Sequence, residues 1–236
     1  GIIHEDDKVK FIKTKHQANP AEARNIGCEH ARGEIILFTD ADCIANTNWV
    51  KELMKHHKRN ANIVGGSVNI AFDGANYWSL SDNIACFYFQ LCDRKKGIFY
   101  DTILATLNFS IAKDTFLKVG RFNEDKELSP AEDADLIARL RKSGYKIYFE
   151  PKAIISHYSL RDSFKSLVKH GVIYGRSFPK LVEEHPGYFT KRNSLYTYSN
   201  RLLLQIVSPL KAFVDTYLIF RKHKMLIRYW YTFGGV

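Results

Sequence analysis

An α/β fold, with a mostly parallel sheet flanked by helices and a helical C-terminal extension, is what this 236-residue sequence predicts. Three observations carry that expectation. Strand and helix signals alternate through the first third of the chain, the pattern of parallel strands joined by crossover helices. The apolar run Ile35-Ile36-Leu37-Phe38 stops at two carboxylates, Asp40 and Asp42, and strands of a parallel sheet end in this way where they line a ligand crevice. Finally, the net charge of +10 lies wholly in the last third: residues 1–150 hold 21 Lys+Arg and 21 Asp+Glu, residues 151–236 hold 14 and 4.

Hydrophobic residues make up 45% and aromatics 14% of the chain, enough to bury a full core and to exclude a disordered tail. Cys28, Cys43, Cys86 and Cys92 form no C-x-x-C pair, which fits free thiols in a reducing compartment rather than disulfides or zinc, and so the cytoplasm. No secretory leader pattern opens the chain, and Gly1 in place of Met suggests a fragment or a processed chain. The C-terminal excess of cations sits among Leu, Ile, Phe, Tyr and Trp. That mixture points to an anionic membrane surface rather than to nucleic acid, for which no recognised binding motif is present.

In order along the chain, Val9 to Lys13 alternates as a short strand, and Asn19-Pro20 opens a helix running to about Ala31. Gly33 separates that helix from the Ile35–Phe38 run, whose unbroken apolar character suits a central strand covered on both faces. Trp49 to His57 reads as a helix with Trp49, Val50, Leu53 and Met54 at core spacing. Residues 63–70 read as a strand broken by Gly65 and Gly66, which mark a bulge or the close approach of a ligand, a bulge alone being the simpler account. An aromatic-rich helix (Tyr77, Trp78, Phe87, Tyr88, Phe89) follows, then a strand from Ile103 to Ile111 containing Asn108. Aromatics at helical spacing serve either as core or as the floor of a sugar site.

The second informative stretch is residues 129–144. Ser129 and Glu132 have the spacing of a capping box with Pro130 at the first helical position, and Gly144 supplies a left-handed stop. Asp133 shares a face with Ile137 and Leu140, which puts its carboxylate at the sheet edge. The plainer reading is that Glu132, Asp133 and Asp135 favour the positive end of the helix dipole. For Asp40 and Asp42, separated by Ala41, the two readings are a polar strand cap and a pair of oxygen ligands for one hard divalent cation.

Three segments in order, residues 23–42, residues 119–124 (Val-Gly-Arg-Phe-Asn-Glu) and residues 132–136 with Gly144-Tyr145-Lys146-Ile147, resemble family 2 glycosyltransferases of the GT-A fold. The resemblance covers residues 20–160. It implies that Asp40 and Asp42 hold Mn²⁺ or Mg²⁺ against a nucleotide-diphospho-sugar, with His157 as a further ligand, and that Asp133 is the general base. Arg24 resembles the family's nucleotide-facing arginine, and the expected substrate-binding set is Arg24, Asp40, Asn108 and Glu132. One base and no enzyme nucleophile imply a single displacement with inversion. No Q-x-x-R-W follows the Glu132-Asp133 helix, so a single addition is expected rather than processive synthesis, to a lipid-linked or saccharide acceptor of the cell envelope.

The expected organisation is a catalytic domain over 1–160, lacking the family's first strand and base-binding loop, and a basic amphipathic region over 161–236. Within the latter, Leu202 to Phe220 is largely apolar but interrupted by Pro209, Lys211 and Asp215. An interfacial helix is therefore expected, with Arg221, Lys222, Lys224 and Arg228 at the lipid headgroups and Trp230 and Tyr231 as anchors. The expected location is the cytoplasmic side of the cell membrane. Two rival readings remain: a nucleotidyltransferase, whose Gly-rich phosphate loop is not visible here, and a nucleotide-sugar-binding or membrane-bound domain without catalysis.

Overall fold

Asn19 starts α1 (Pro20–His30) by accepting a hydrogen bond from the Glu22 amide at 2.9 Å, while Pro20 occupies the first turn, where no amide is needed. The computed structural model describes residues 9–70, 76–87, 90–91, 96–98 and 104–188. Val9 to Lys13, expected as a strand, pairs with no strand among the described residues, and Val9 and Phe11 are exposed. After α1 come β1 (Ile35–Phe38), β2 (Cys43–Ala45), α2 (Trp49–His57), β3 (Ile63–Ile70), α3 (Tyr77–Phe87) and β4 (Gly97–Ile98). A single 3₁₀ turn, Thr106–Asn108, leads into β5 (Phe109–Ala112), followed by α4 (Lys113–Lys118), α5 (Glu132–Lys142), β6 (Ile147–His157) and α6 (Phe164–Glu184).

The strands form one sheet in the order β1-β5-β3-β6-β2, with β4 also on β6. The expectation of a mostly parallel sheet is corrected here. Of these strands, only β3 and β6 pair in parallel; β5 lies antiparallel between β1 and β3, and β2 and β4 lie antiparallel on β6. β1 is likewise not central among the described strands. It is at an edge, with Ile36 and Phe38 buried and Ile35 and Leu37 half-buried. The three strands that share a direction, β1, β3 and β6, all end on the same side of the sheet, and everything discussed below gathers there.

Helices cover both faces. Alternation along β3 sends Ile63 to one side, against Ile36, Phe38, Phe109, Phe116, Phe122 and the α5 residues Leu136, Ile137 and Leu140. Val64 goes to the other, against Trp49 and Leu53 of α2, Leu107 and Ile155. Phe122 meets Phe38 and Phe116 edge to face with centroids 5.4 Å apart, and Phe38 lies tilted on Phe116 at 5.8 Å. α2 has the bounds its periodicity indicated, although Val50 is exposed rather than core.

The glycine pair marks both a register shift and a close approach, but of the protein's own atoms. The shift between Gly66 and Ser67 sits opposite Pro151 to Ala153 of β6, and a Cβ on Gly66 would collide with the Ala153 carbonyl and the Asn108 amide. Asn108 ends the 3₁₀ turn rather than lying within a strand, and it is fully buried. Its Nδ2 donates to the Ser67 and Ala153 carbonyls at 2.7 and 2.8 Å, and its Oδ1 accepts from Trp49 Nε1 at 2.8 Å. With its amide spent on joining β3, β6 and α2, Asn108 is a structural residue and not the substrate contact expected of it.

The start of α5 also differs from the sequence reading. The helix begins at Glu132 with Ala131 at its N-cap, so Ser129 lies outside it and no capping box closes; the Glu132 carboxylate instead accepts from Arg24. Gly144 does supply the stop, at φ +82°. α6 begins with a capping box of its own between Ser163 and Ser166. Its Phe178, Leu181 and Val182 pack on Leu128, Ala131, Ala134 and Ala138, so the start of the expected C-terminal region lies against α5. Cys28, Cys43 and Cys86 are free thiols. Cys92 and residues 189–236, including Leu202–Phe220 and the cations after it, lie outside the described residues. No described helix is long and apolar enough to cross a membrane.

Replacing Asn108 with alanine leaves two buried carbonyls and an indole N–H without partners, so Asn108→Ala is expected to lower unfolding free energy by about 3 kcal/mol or more. Urea denaturation with an unchanged m-value is the check; a loss under about 1 kcal/mol contradicts the structural role.

Candidate active site

Asp40 and Asp42 occupy the tight turn after β1, closed by the Cys43 amide on the Asp40 carbonyl at 3.2 Å. The chain then returns as β2, whose pairing with β6 sets Cys43 opposite His157. The Tyr158 amide donates to the Asp42 carbonyl at 2.9 Å, and His157 Nε2 comes to 3.4 Å from Asp42 Oδ2. His157 is buried; its Nδ1 is engaged by Asn83 Oδ1 of α3, and its ring meets Phe87 edge to face at 4.8 Å. The hydrogen bond from His157 holds the Asp42 carboxyl below its usual range, against the opposing effect of burial, so Asp42 is anionic near neutrality.

Arg24 joins this turn to α5. Its Nη2 donates to Asp40 Oδ1 at 2.9 Å and its Nη1 to Glu132 Oε1 at 2.6 Å, with the guanidinium 5.6 Å from the Phe122 ring centroid. Burial alone would lower the arginine pKa, but Asp40 and then Glu132 outweigh it and raise it. α1 is held in place beside Arg24 by Asn25, whose amide donates to the Phe122 carbonyl at 2.9 Å and accepts from the Phe122 amide at 3.1 Å. The second Glu132 oxygen, Oε2, is buried with no partner among the described residues.

Asp133 stands next to Glu132, half-buried, with its Oδ1 accepting from the Ala134 amide at 2.7 Å. Burial raises its pKa to about 7, helped by the charge of Glu132 and opposed by Arg24. A carboxyl poised there can take or give a proton at physiological pH.

One cavity of about 650 Å³ is lined by Arg24, Asp40, Asp42, Glu132, Asp133 and His157 together. Of the residues expected in the site, only Asn108 does not line it. The donor set of Asp42 and His157, two hard or borderline ligands at bonding range of a common point, fits Mn²⁺ or Mg²⁺. Asp40 is turned to Arg24, so the three do not converge as a closed cluster in this structure.

The cavity also has a wall that sequence reading missed. Asp82 of α3 is buried and accepts from Arg161 Nε at 2.6 Å, Ser159 Oγ at 3.1 Å and His170 Nδ1 at 2.9 Å. Asp82, Cys86 and His170 bring ligand atoms within 4.8 Å of one another, but Arg161 already neutralises Asp82, and the group reads as an ion-pair clamp between α3 and α6. The group of Asp135, Glu184 and His185 is similar, with Arg139 on Asp135 at 2.6 Å. No short motif links residues 82, 161 and 170, so periodicity had no means of finding them.

Comparisons with known proteins bear on the family and the fold. The family model described as "Glycosyl transferase family 2" matches residues 2–116. The probable N-acetylgalactosaminyltransferase 7 of Caenorhabditis elegans is 27% identical over 175 residues, covering 64% of this chain. The chain spans only 28% of that relative's length. Among solved structures, GalNAc-T7 with UDP, GalNAc and Mn²⁺ superposes with a TM-score of 0.53 at 17% identity, over 87% of this chain and 42% of that one. The mannosyltransferase PcManGT from Pyrobaculum calidifontis, in complex with GDP-Man and Mn²⁺, gives 0.55 at 14% identity, over 91% and 61%. The family match over residues 2–116, the relatives and the mixed sheet flanked by helices together support a family 2 glycosyltransferase of the GT-A fold.

Proposed function

We propose that the chain carries the donor-binding and catalytic part of an inverting glycosyltransferase, which moves one sugar from a nucleotide-diphospho-sugar to a hydroxyl of a lipid-linked or saccharide acceptor. The observation that carries this reading is the shared cavity, in which a proton-accepting carboxylate at a pKa of about 7 stands beside an arginine and an anionic Asp42 next to His157. Asp40, Asp42 and His157 would hold Mn²⁺ or Mg²⁺, and such an ion neutralises charge on a departing diphosphate as a Lewis acid. Arg24 supplies a fixed positive charge on the same side, suited to phosphate oxygens. Asp133 accepts the proton of the attacking hydroxyl. No residue of the cavity is needed as a nucleophile, so the displacement is single and inverts the anomeric centre.

Membrane attachment at the cytoplasmic face is part of the same proposal. Beyond the charge of the sequence, its support is the outer face of α6, where Lys165, Lys169 and Arg176 are exposed along with Phe164, with Leu160 82% exposed just before the helix. Cations flanking apolar side chains suit an anionic bilayer surface. A single addition, rather than processive synthesis, is part of the proposal, supported by the lack of a Q-x-x-R-W after α5 in the sequence.

Asp42→Ala is expected to abolish Mn²⁺-dependent donor binding, with Asp42→Glu retaining a remnant; transfer untouched by both EDTA and Asp42→Ala sinks the metal role. Asp133→Asn is expected to keep donor affinity and to cut turnover roughly 10²-fold or more. Because the base acts deprotonated, kcat/KM of the wild type should fall about tenfold per pH unit below about 7 and level off above it. A profile flat from pH 5.5 to 8 excludes Asp133 as the base. In co-sedimentation, the protein should bind anionic vesicles and release from them as salt approaches 1 M, each Lys or Arg near the surface contributing about 1 kcal/mol. Equal binding to neutral vesicles removes the electrostatic argument.

A further inference from the structure

The two aspartates of the turn after β1 are held by different partners. Asp42 faces His157, whose Nε2 lies 3.4 Å from its Oδ2, and its carbonyl is fixed by the Tyr158 amide at 2.9 Å. Asp40, two residues earlier, accepts through its Oδ1 from Arg24 Nη2 at 2.9 Å. A carboxylate oxygen engaged by a guanidinium is a poor ligand for a divalent cation, because the two cations repel each other and compete for the same lone pairs. In this arrangement Asp40 serves the protein's own cation.

Arg24 has a second place to rest. Its Nη1 already donates to Glu132 Oε1 at 2.6 Å, and the other oxygen of that carboxylate, Oε2, is buried with no partner among the described residues. Leaving a buried carboxylate oxygen unpaired is costly, and an arginine presents two nitrogens at the spacing that both oxygens of one carboxylate accept as a fork. The Glu132 side chain is 6% exposed and that of Asp40 35%. Of the two carboxylates Glu132 therefore needs the guanidinium more, since water can solvate Asp40 in its place. Two discrete arrangements result, one bridging Asp40 and Glu132 and one forked on Glu132 alone.

We propose that Arg24 is a positioning residue that competes with a divalent cation for Asp40: bridging, it withholds one carboxylate of the metal site, and forked on Glu132 it releases that carboxylate. This rests on the reading of Asp40 and Asp42 as metal ligands. A hydrogen bond charged on both sides shifts such an equilibrium about tenfold or more, so removing Arg24 tightens cation binding. An arginine that served only to hold the fold has the opposite sign, since its loss loosens the site and weakens cation binding.

Titration of the whole chain with Mn²⁺ alone, without nucleotide, tests it, the free ion being counted by electron paramagnetic resonance. Expected are wild-type binding that Asp42→Ala removes, a much smaller loss in Asp40→Asn, and binding about tenfold tighter in Arg24→Gln. That gain should shrink at least about threefold when Asp40→Asn is present in both partners of the comparison. Arg24→Lys leaves the net charge unchanged and, as a single point charge, is expected to stay with the more buried Glu132; it too should tighten Mn²⁺ binding, and it serves if Arg24→Gln does not fold. Unchanged or weaker binding in the folded Arg24 variants overturns the proposal. So does a gain of the same size with Asp40→Asn, which is the through-space effect of a lost cation, and so does a loss in Asp40→Asn equal to that in Asp42→Ala, since Asp40 is then already free to ligate. Mn²⁺ binding by the wild type that is absent or indifferent to Asp42→Ala is a separate failure: it removes the metal reading of the turn, and the competition with it.

Discussion

Four carboxylates, Asp40, Asp42, Glu132 and Asp133, converge at one end of the sheet, and the Arg24 guanidinium between Asp40 and Glu132 is the interaction that makes this tolerable. Like charges crowded into a cavity raise one another's pKa and oppose folding unless a cation stands among them. Arg24 and Glu132 are largely buried, at 17% and 6% side-chain exposure, and a pair in that setting costs about 3–5 kcal/mol to break from one side. The bridge also ties three distant parts of the chain together: α1, the turn after β1, and the first residue of α5. Asp133, next along α5, has its pKa raised first by burial and then by the charge of Glu132, against the opposing effect of Arg24.

The rest of the fold serves that convergence. Antiparallel β2 folds the Asp40–Asp42 turn back onto β6 and so sets His157 beside Asp42, while Asn83 of α3 holds the far nitrogen of the imidazole. Phe38, Phe116 and Phe122 pack beneath Arg24, and Asn25 ties its helix to the backbone of Phe122. On the other side, Asp82 gathers Arg161 and His170 to hold α6 over the cavity. Each brace joins residues far apart in the chain, so the cavity forms only when the sheet and both helical layers are complete.

Much of the local structure is legible in the sequence. The bounds of α2, the Asn19 cap of α1, the stop at Gly144 and the strand ending at Asp40 all depend on side chains within a few residues of one another, where propensity and capping operate. The capping box at Ser129 has the correct letters and still does not form, because the helix starts three residues later, at Glu132, whose carboxylate meets Arg24 of α1. Asn108 departs from its expected role for a related reason. A polar residue within an apolar run resembles a ligand contact until its three partners, on α2, β3 and β6, are seen to use the whole amide.

The sequence by itself determined the α/β class, the helices α1, α2 and α5, the carboxylates at a strand end and the resemblance to the family, since each rests on short-range pattern or on motif order. Strand direction, the acid–base state of Asp133 and the second wall of the cavity were decided only by tertiary structure. β5 reads alike whether it runs with or against its neighbours, and it runs against them, a choice on which hydrophobic alternation is silent because alternation carries no direction. The Asp133 pKa comes from burial in the folded cavity and, beyond its neighbour Glu132, from charges on α1 and the β1 turn, and α6 joins the cavity through a buried aspartate some 80 residues earlier in the chain. Such effects depend on distance in space, which the order of residues along the chain does not contain.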